Sequence, residues 1–128
     1  MKKLIQALIV GVALLFSMLA NAEVKLEDDS EILGKWNLYA EAIALHKEKV
    51  ELFSVWEFRK DGVLHTISND RFGRTKNLKI DLKYEVADGV IKKQKTPGRS
   101  KMEDCKVIKL EDGKMTLKCT FVYLFLKR

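Results

Sequence analysis

The chain is poor in the residue types that carry most enzyme chemistry. It has two histidines, nineteen positions apart, and two cysteines with no histidine beside them. That spacing excludes the compact His/Cys clusters of zinc sites and the close pairs of redox couples. It has no Gly-rich phosphate loop and no Gly-x-Ser-x-Gly nucleophile motif. Carboxylates are plentiful but do not gather inside the apolar segments, where a perturbed general acid would have to sit. The one dense run, Glu27, Asp28 and Asp29, lies near the start of the chain. The expectation is a protein that is not an enzyme and that holds neither cofactor nor metal. There is one proline, in Thr96-Pro97-Gly98, which marks a loop and rules out a long central strand at that point. Long amphipathic helical patterns are also missing, so no helix is available to cover a sheet. The formal charge is +6, but without a dense basic stripe interleaved with aromatics, which argues against a nucleic-acid partner.

What is present begins with an N-terminal leader. Met1-Lys2-Lys3 is positive, residues 4–19 are apolar apart from Gln6, Gly11 and Ser17, and Ala20-Asn21-Ala22 supplies the small residues a signal peptidase reads. This predicts a secretory signal peptide over 1–22 and one domain over 23–128, in the periplasm or outside the cell. A retained anchor is the alternative, for which an apolar run of about sixteen residues is short. No cysteine follows the cleavage site, so lipid attachment there is excluded, and no stable membrane anchor survives cleavage. Losing Lys2 and Lys3 leaves a mildly basic domain.

The rest reads as strands. Residues 78–86 alternate without fault, with Leu78, Ile80, Leu82, Tyr84 and Val86 on one face and Lys79, Asp81, Lys83 and Glu85 on the other. Strands are also predicted over 32–40, 52–59 and 63–68 and from Val90. A long hairpin over 103–126 folds at Glu111-Asp112-Gly113. Its returning strand puts Met115, Leu117, Cys119, Phe121, Tyr123 and Phe125 on the buried face. A short helix is predicted over 40–47, and basic loops over 71–77 and 92–101. Asp-Gly at 61–62, 88–89 and 112–113 signals hairpin turns. Cys105 and Cys119 face each other across the last hairpin if its loop has three residues, or if one bulge follows a two-residue turn, and either arrangement allows a disulfide. Seven strands in sequential hairpins result, with an eighth to be found in a split first strand or after Asp70. The predicted fold is all-β, an antiparallel up-and-down meander closed into a barrel, which removes free edges. An open sandwich is the runner-up.

Gly34-Lys35-Trp36 within the first strand, the Phe58-Arg59-Lys60-Asp61-Gly62 turn, Asp88-Gly89, Asp112-Gly113-Lys114-Met115 and the closing Leu126-Lys127-Arg128 together resemble the small bacterial lipocalin-like domains of the calycin group. The resemblance spans nearly all of the chain after the leader. It implies a barrel closed at one end by Trp36, beside Gly34, packing against a basic residue beyond the last strand, here Arg128. It also implies a cavity for a small, often apolar, ligand. The chain departs from the fatty-acid-binding branch: Phe121-Val122-Tyr123 has the tyrosine of that branch's Arg-x-Tyr but not its arginine, and there is no room for the helical pair after the first strand.

Meander topology sharpens the functional expectation. Loops alternate between the two ends, so the three Asp-Gly turns share one end. The other receives His46, Lys47, Lys49, Arg71, Arg74, Lys76, Arg99 and Lys101 against Glu48 and Asp70. A wide, basic mouth attracts an anionic ligand, lipid headgroup or protein partner; the plain alternative is a solvated rim. A two-residue turn at Asp61-Gly62 pairs Phe58 with His65 and Trp56 with Ile67, turning His65 inward with the two aromatics. The same arithmetic at Asp88-Gly89 pairs Tyr84 with Lys93 and puts Lys93 inside, where it needs an anion or water. Two function classes follow. One is an exported carrier of a small amphipathic or anionic ligand, with a cavity lined by Trp36, Trp56, Phe58, Tyr84 and Tyr123 and with His65 and Lys93 as its polar groups. The other is an interaction module, such as an inhibitor of a secreted enzyme, acting through basic loops over a filled barrel. Cavity volume separates them.

Overall fold

The structure, a computed structural model, describes residues 23–70, 72, 74 and 76–128. The leader over 1–22 and Arg71 lie outside the described residues. Eight strands follow in order: β1 (Gly34–Ala42), β2 (Val50–Phe58), β3 (Val63–Asn69), β4 (Leu78–Ala87), β5 (Val90–Gln94), β6 (Met102–Glu111), β7 (Lys114–Lys118) and β8 (Tyr123–Lys127). Each pairs antiparallel with the next, and β8 returns to β1, closing the barrel as expected.

The eighth strand arises in neither predicted place. The returning arm of the last hairpin breaks into β7 and β8 at a tight turn in which the Cys119 amide donates to the Val122 carbonyl at 2.9 Å. Apolar alternation runs on through this turn, and Thr120-Phe121 carries no glycine, proline or asparagine to mark it. The turn resets the phase. Leu124 and Leu126 now face the core, Tyr123 and Phe125 face outward, and Phe121 is 83% exposed at the tip. The predicted helix over 40–47 is also absent. Eight residues make a marginal helix in water, whereas by staying extended Ala40 and Glu41 gain partners on both β2 and β8, and Ala42 gains one on β8. A bulge between Leu38 and Ala40 turns both alanines to the outer wall, where they pack with Phe125, Tyr39 and Tyr123.

Two of the three Asp-Gly turns are two-residue hairpins. Asp88-Gly89 and Asp112-Gly113 both carry positive φ at both positions, and Ala87 pairs with Val90 and Glu111 with Lys114. The third is one residue longer. The Arg59 amide bonds the Val63 carbonyl across Lys60-Asp61-Gly62, only Gly62 of the three has positive φ, and Asp61 accepts from the Val63 amide. Phe58 therefore pairs with Leu64, not His65, and Trp56 with Thr66, not Ile67.

A bulge between Val107 and Lys109 in β6, ahead of the two-residue turn of the last hairpin, brings Cys105 opposite Cys119. The disulfide joins them with Cα atoms 4.2 Å apart. Inward positions fill the axis: Trp36, Phe58, Leu64, Ile91, Met115, Leu117 and Leu126 are essentially inaccessible. The end holding the Asp-Gly turns is sealed by the segment before β1. Val24 bridges Val107 on β6 beyond the start of β5, the Leu26 amide donates to Gly89, and Ile32 is fully buried. Asp28 caps the turn before β1 by accepting from the Ser30 amide, and its hydrogen bonds with Ser30 hold its carboxyl below the usual range.

Candidate functional site

Two regions bear on function, the barrel interior and its wide end. In the interior, Trp56 lies opposite Trp36 and Thr66, and Phe58 opposite Gly34 and Leu64. Trp56, Phe58 and Tyr84 form a run of edge-on ring contacts, with centroids 6.1 and 5.1 Å apart. The Tyr84 hydroxyl donates to the Arg59 carbonyl at 2.6 Å. Burial pushes its pKa up to about 12, with Asp29 and Asp61 adding to the effect. Lys93 is opposite Tyr84 and buried, as its register requires. Its ammonium sits 3.2 Å from the carboxylate of Glu103, the residue across from it on β6, and 5.8 Å from the Trp56 ring. Glu103 thus supplies the compensating charge, a role that sequence reasoning gave to an anion or water. Further toward the wide end the inner wall becomes polar, with Ser54 bonded to Ser68 and Thr66 donating to the Ile80 carbonyl.

Two residues predicted for the interior point outward. His65 lies opposite Glu57 and Asp81 and pairs with the Asp81 carboxylate on the outer wall. A turn one residue longer than predicted slips the register by one, and a one-residue slip exchanges the faces of a strand. Tyr123 lies outside with Ala42 and Phe125 because of the break before β8. At the sealed end the Arg128 guanidinium stacks 4.1 Å over the Trp36 ring and donates to the Leu33 and Glu31 carbonyls. The Trp36 indole donates to Ile32. Gly34 has φ +105, which a side chain would strain. Glu103 also lies close to both cysteine sulfurs, but with these joined in a disulfide no thiolate remains for a metal.

Sequential antiparallel pairing brings the loops β1–β2, β3–β4, β5–β6 and β7–β8 to the wide end. Arg74 pairs with Asp70 at 2.9 Å and lies over the Phe72 ring. The Phe72 amide, and then Arg74, hold the Asp70 carboxyl below its ordinary range. Arg99 and Lys101 are exposed in a loop pinned by its backbone: the Lys95 amide bonds Lys101, and Gln94 donates to the Arg99 carbonyl. Lys95 lies over the ring of Phe121, bringing the β5–β6 and β7–β8 loops together.

The cations have apolar neighbours that sequence reasoning did not identify. Ile43 is 75% exposed, Phe72 71% and Phe121 83%, and Leu45, Val50, Leu78 and Met102 are exposed in or beside the same four loops. Their signal in the sequence is large apolar residues inside cationic loops. Two clefts lie here. One at the mouth, about 670 Å³, is lined by Ala42, Ile43, Val50 and Val122, with Lys47 and Lys49 set among Glu41, Glu48 and Glu51. The other, about 610 Å³, runs along the wall past Tyr39, Ala40, Phe53 and Lys127. Trp56, Phe58 and Lys93 line neither. The structure is an eight-stranded antiparallel closed barrel of a form compatible with a lipocalin-like fold. No protein-family model, no curated protein and no solved structure matches the chain.

Proposed function

We propose that this is an exported, non-catalytic binding module of lipocalin-like form that engages its target through the wide end of a filled barrel. The observation that carries this reading is the pairing of exposed apolar side chains with cations on the four wide-end loops, while the opposite end is sealed by short turns and the segment before β1. The disulfide and the leader-like N-terminus support export, since disulfides persist in oxidising compartments. A filled axis and a Lys93 already paired with Glu103 count against a carrier site deep in the barrel. The test is a photo-crosslinking side chain at Phe121, compared with one at Lys60 in the opposite end, in protein expressed in its own compartment. Adducts from Phe121 alone are expected; adducts from Lys60 alone contradict the reading.

A small amphipathic ligand in the mouth cleft is the second reading. It is favoured by the apolar lining of that cleft, where Lys47 and Lys49 are set among Glu41, Glu48 and Glu51 as a polar rim of mixed charge. Native mass spectrometry of the exported protein addresses it: a copurifying small mass, lost on Val50→Glu, is the expected result.

A further inference from the structure

The charges of this molecule are sorted by end. Residues 23–33, which seal the tight end, hold five carboxylates and one lysine, and the turns there add Asp61, Asp88 and Asp112 against Lys60 and the capping Arg128, so that end stays net acidic. The wide-end loops carry eight lysines and arginines against Glu48 and Asp70, with no carboxylate in 95–101 or 119–122. On that same end, large apolar side chains stand out one or two to a loop, foremost Ile43, Leu45 and Phe121. A protein-binding hot spot gathers its apolar anchors in one central, pocketed patch. Here they are spread over separate loop tips, each beside cations, as Lys95 is beside Phe121. That distribution suits a fluid interface, into which isolated apolar tips sink to the acyl boundary while the cations around them meet headgroups.

We propose, resting on the wide-end reading above, that the target is the surface of an anionic phospholipid bilayer, with the barrel standing on its wide rim and the acidic end held away by repulsion. The contact is peripheral. Outward positions of β4 are Lys79, Asp81, Lys83 and Glu85, so the wall itself is unsuited to hydrocarbon.

The experiment is co-sedimentation of the disulfide-bonded protein with vesicles of phosphatidylcholine alone and of phosphatidylcholine with roughly a third phosphatidylglycerol. Binding is expected to the anionic vesicles only. It should weaken as salt rises from about 0.1 to 1 M, over which the Debye length falls from about 10 to 3 Å. Lys95→Glu/Arg99→Glu/Lys101→Glu should weaken it by about a hundredfold or more, since each cation near an anionic surface contributes on the order of fivefold. Ile43→Ser/Phe121→Ser should also weaken it, and Lys60→Glu at the far end should not. Phe121→Trp reports insertion directly by a blue shift of emission on anionic vesicles. Unchanged thermal midpoints establish that each variant is folded. Binding that survives Ile43→Ser/Phe121→Ser, without a blue shift in Phe121→Trp, is mere adsorption and overturns the proposal. Absence of vesicle binding also overturns it. If Phe121 then still crosslinks to a protein, the wide-end reading stands with a protein target; if Phe121 gives no adduct either, both fail.

Discussion

Trp36 illustrates how much one side chain can hold. It is buried, its indole nitrogen is bonded to Ile32, and Arg128 covers its ring. Truncating a core aromatic typically costs roughly 3–5 kcal/mol, and Trp36→Ala should lose that much in denaturant unfolding; a loss under about 1 kcal/mol would mean that the cover is dispensable. Lys93 and Glu103 pose a different test. Removing one member of a buried pair leaves a desolvated charge, so Glu103→Ala should cost toward the lower part of the 3–5 kcal/mol range, because both side chains retain slight exposure. The double change Lys93→Met/Glu103→Leu removes both charges and should cost less than the single one; a cost equal to the sum of the two single changes would show the two to be independent. Tyr84 adds a pH dependence. Its folded pKa, about 12, lies above the unfolded value near 10. Its contribution is therefore complete below about pH 10 and lost as pH rises through about 12. Tyr84→Phe, less stable at neutral pH by about 1 kcal/mol for the lost bond to Arg59, should show a shallower decline in stability between pH 9 and 12 (roughly the window set by those two values). Parallel pH profiles would contradict this.

Among the elements, the turns decide most. Gly113 sits at φ +72, and a Cβ there would lie 2.7 Å from the Arg128 carbonyl oxygen, a backbone atom with little room to move. Gly113→Ala should therefore cost more than about 1 kcal/mol, read from a denaturant midpoint, since strain adds to contact. A neutral result would require the C-terminal residue to shift. The turns also explain which parts of the fold were legible in the sequence. Strict alternation over β4 and the Asp-Gly pairs at 88–89 and 112–113 led directly to the observed strands and, with the bulge in β6, to the disulfide. The Lys60-Asp61-Gly62 turn misled because an Asp-Gly pair fits both a two- and a three-residue loop, and that one residue decides the direction of His65. The break before β8 left no trace, since Thr120 and Phe121 are ordinary strand residues. Of the candidate site, the cations followed from loop parity. Glu103 did not, because the long 95–101 loop leaves the β5–β6 register open. The exposed apolar tips were hidden for the opposite reason: Phe121 fitted a strand too well.

At the scale of the whole molecule, the barrel has one sealed, acidic end and one open, basic end bearing apolar tips. The rim changes proposed above should alter binding with little effect on the thermal midpoint, because exposed loop charges contribute at most about 1 kcal/mol. Strand number has one more effect. With seven strands the last would finish at the rim; with eight, β1 starts and β8 finishes at the same, sealed end, where Arg128 caps Trp36. Parity thus places the handle opposite the blade. A flexible extension beyond Arg128, long enough to clear the Trp36 stack, would fix the protein to a sensor surface with all four wide-end loops facing the solution, and a tether grafted into the Arg99 loop would hide them.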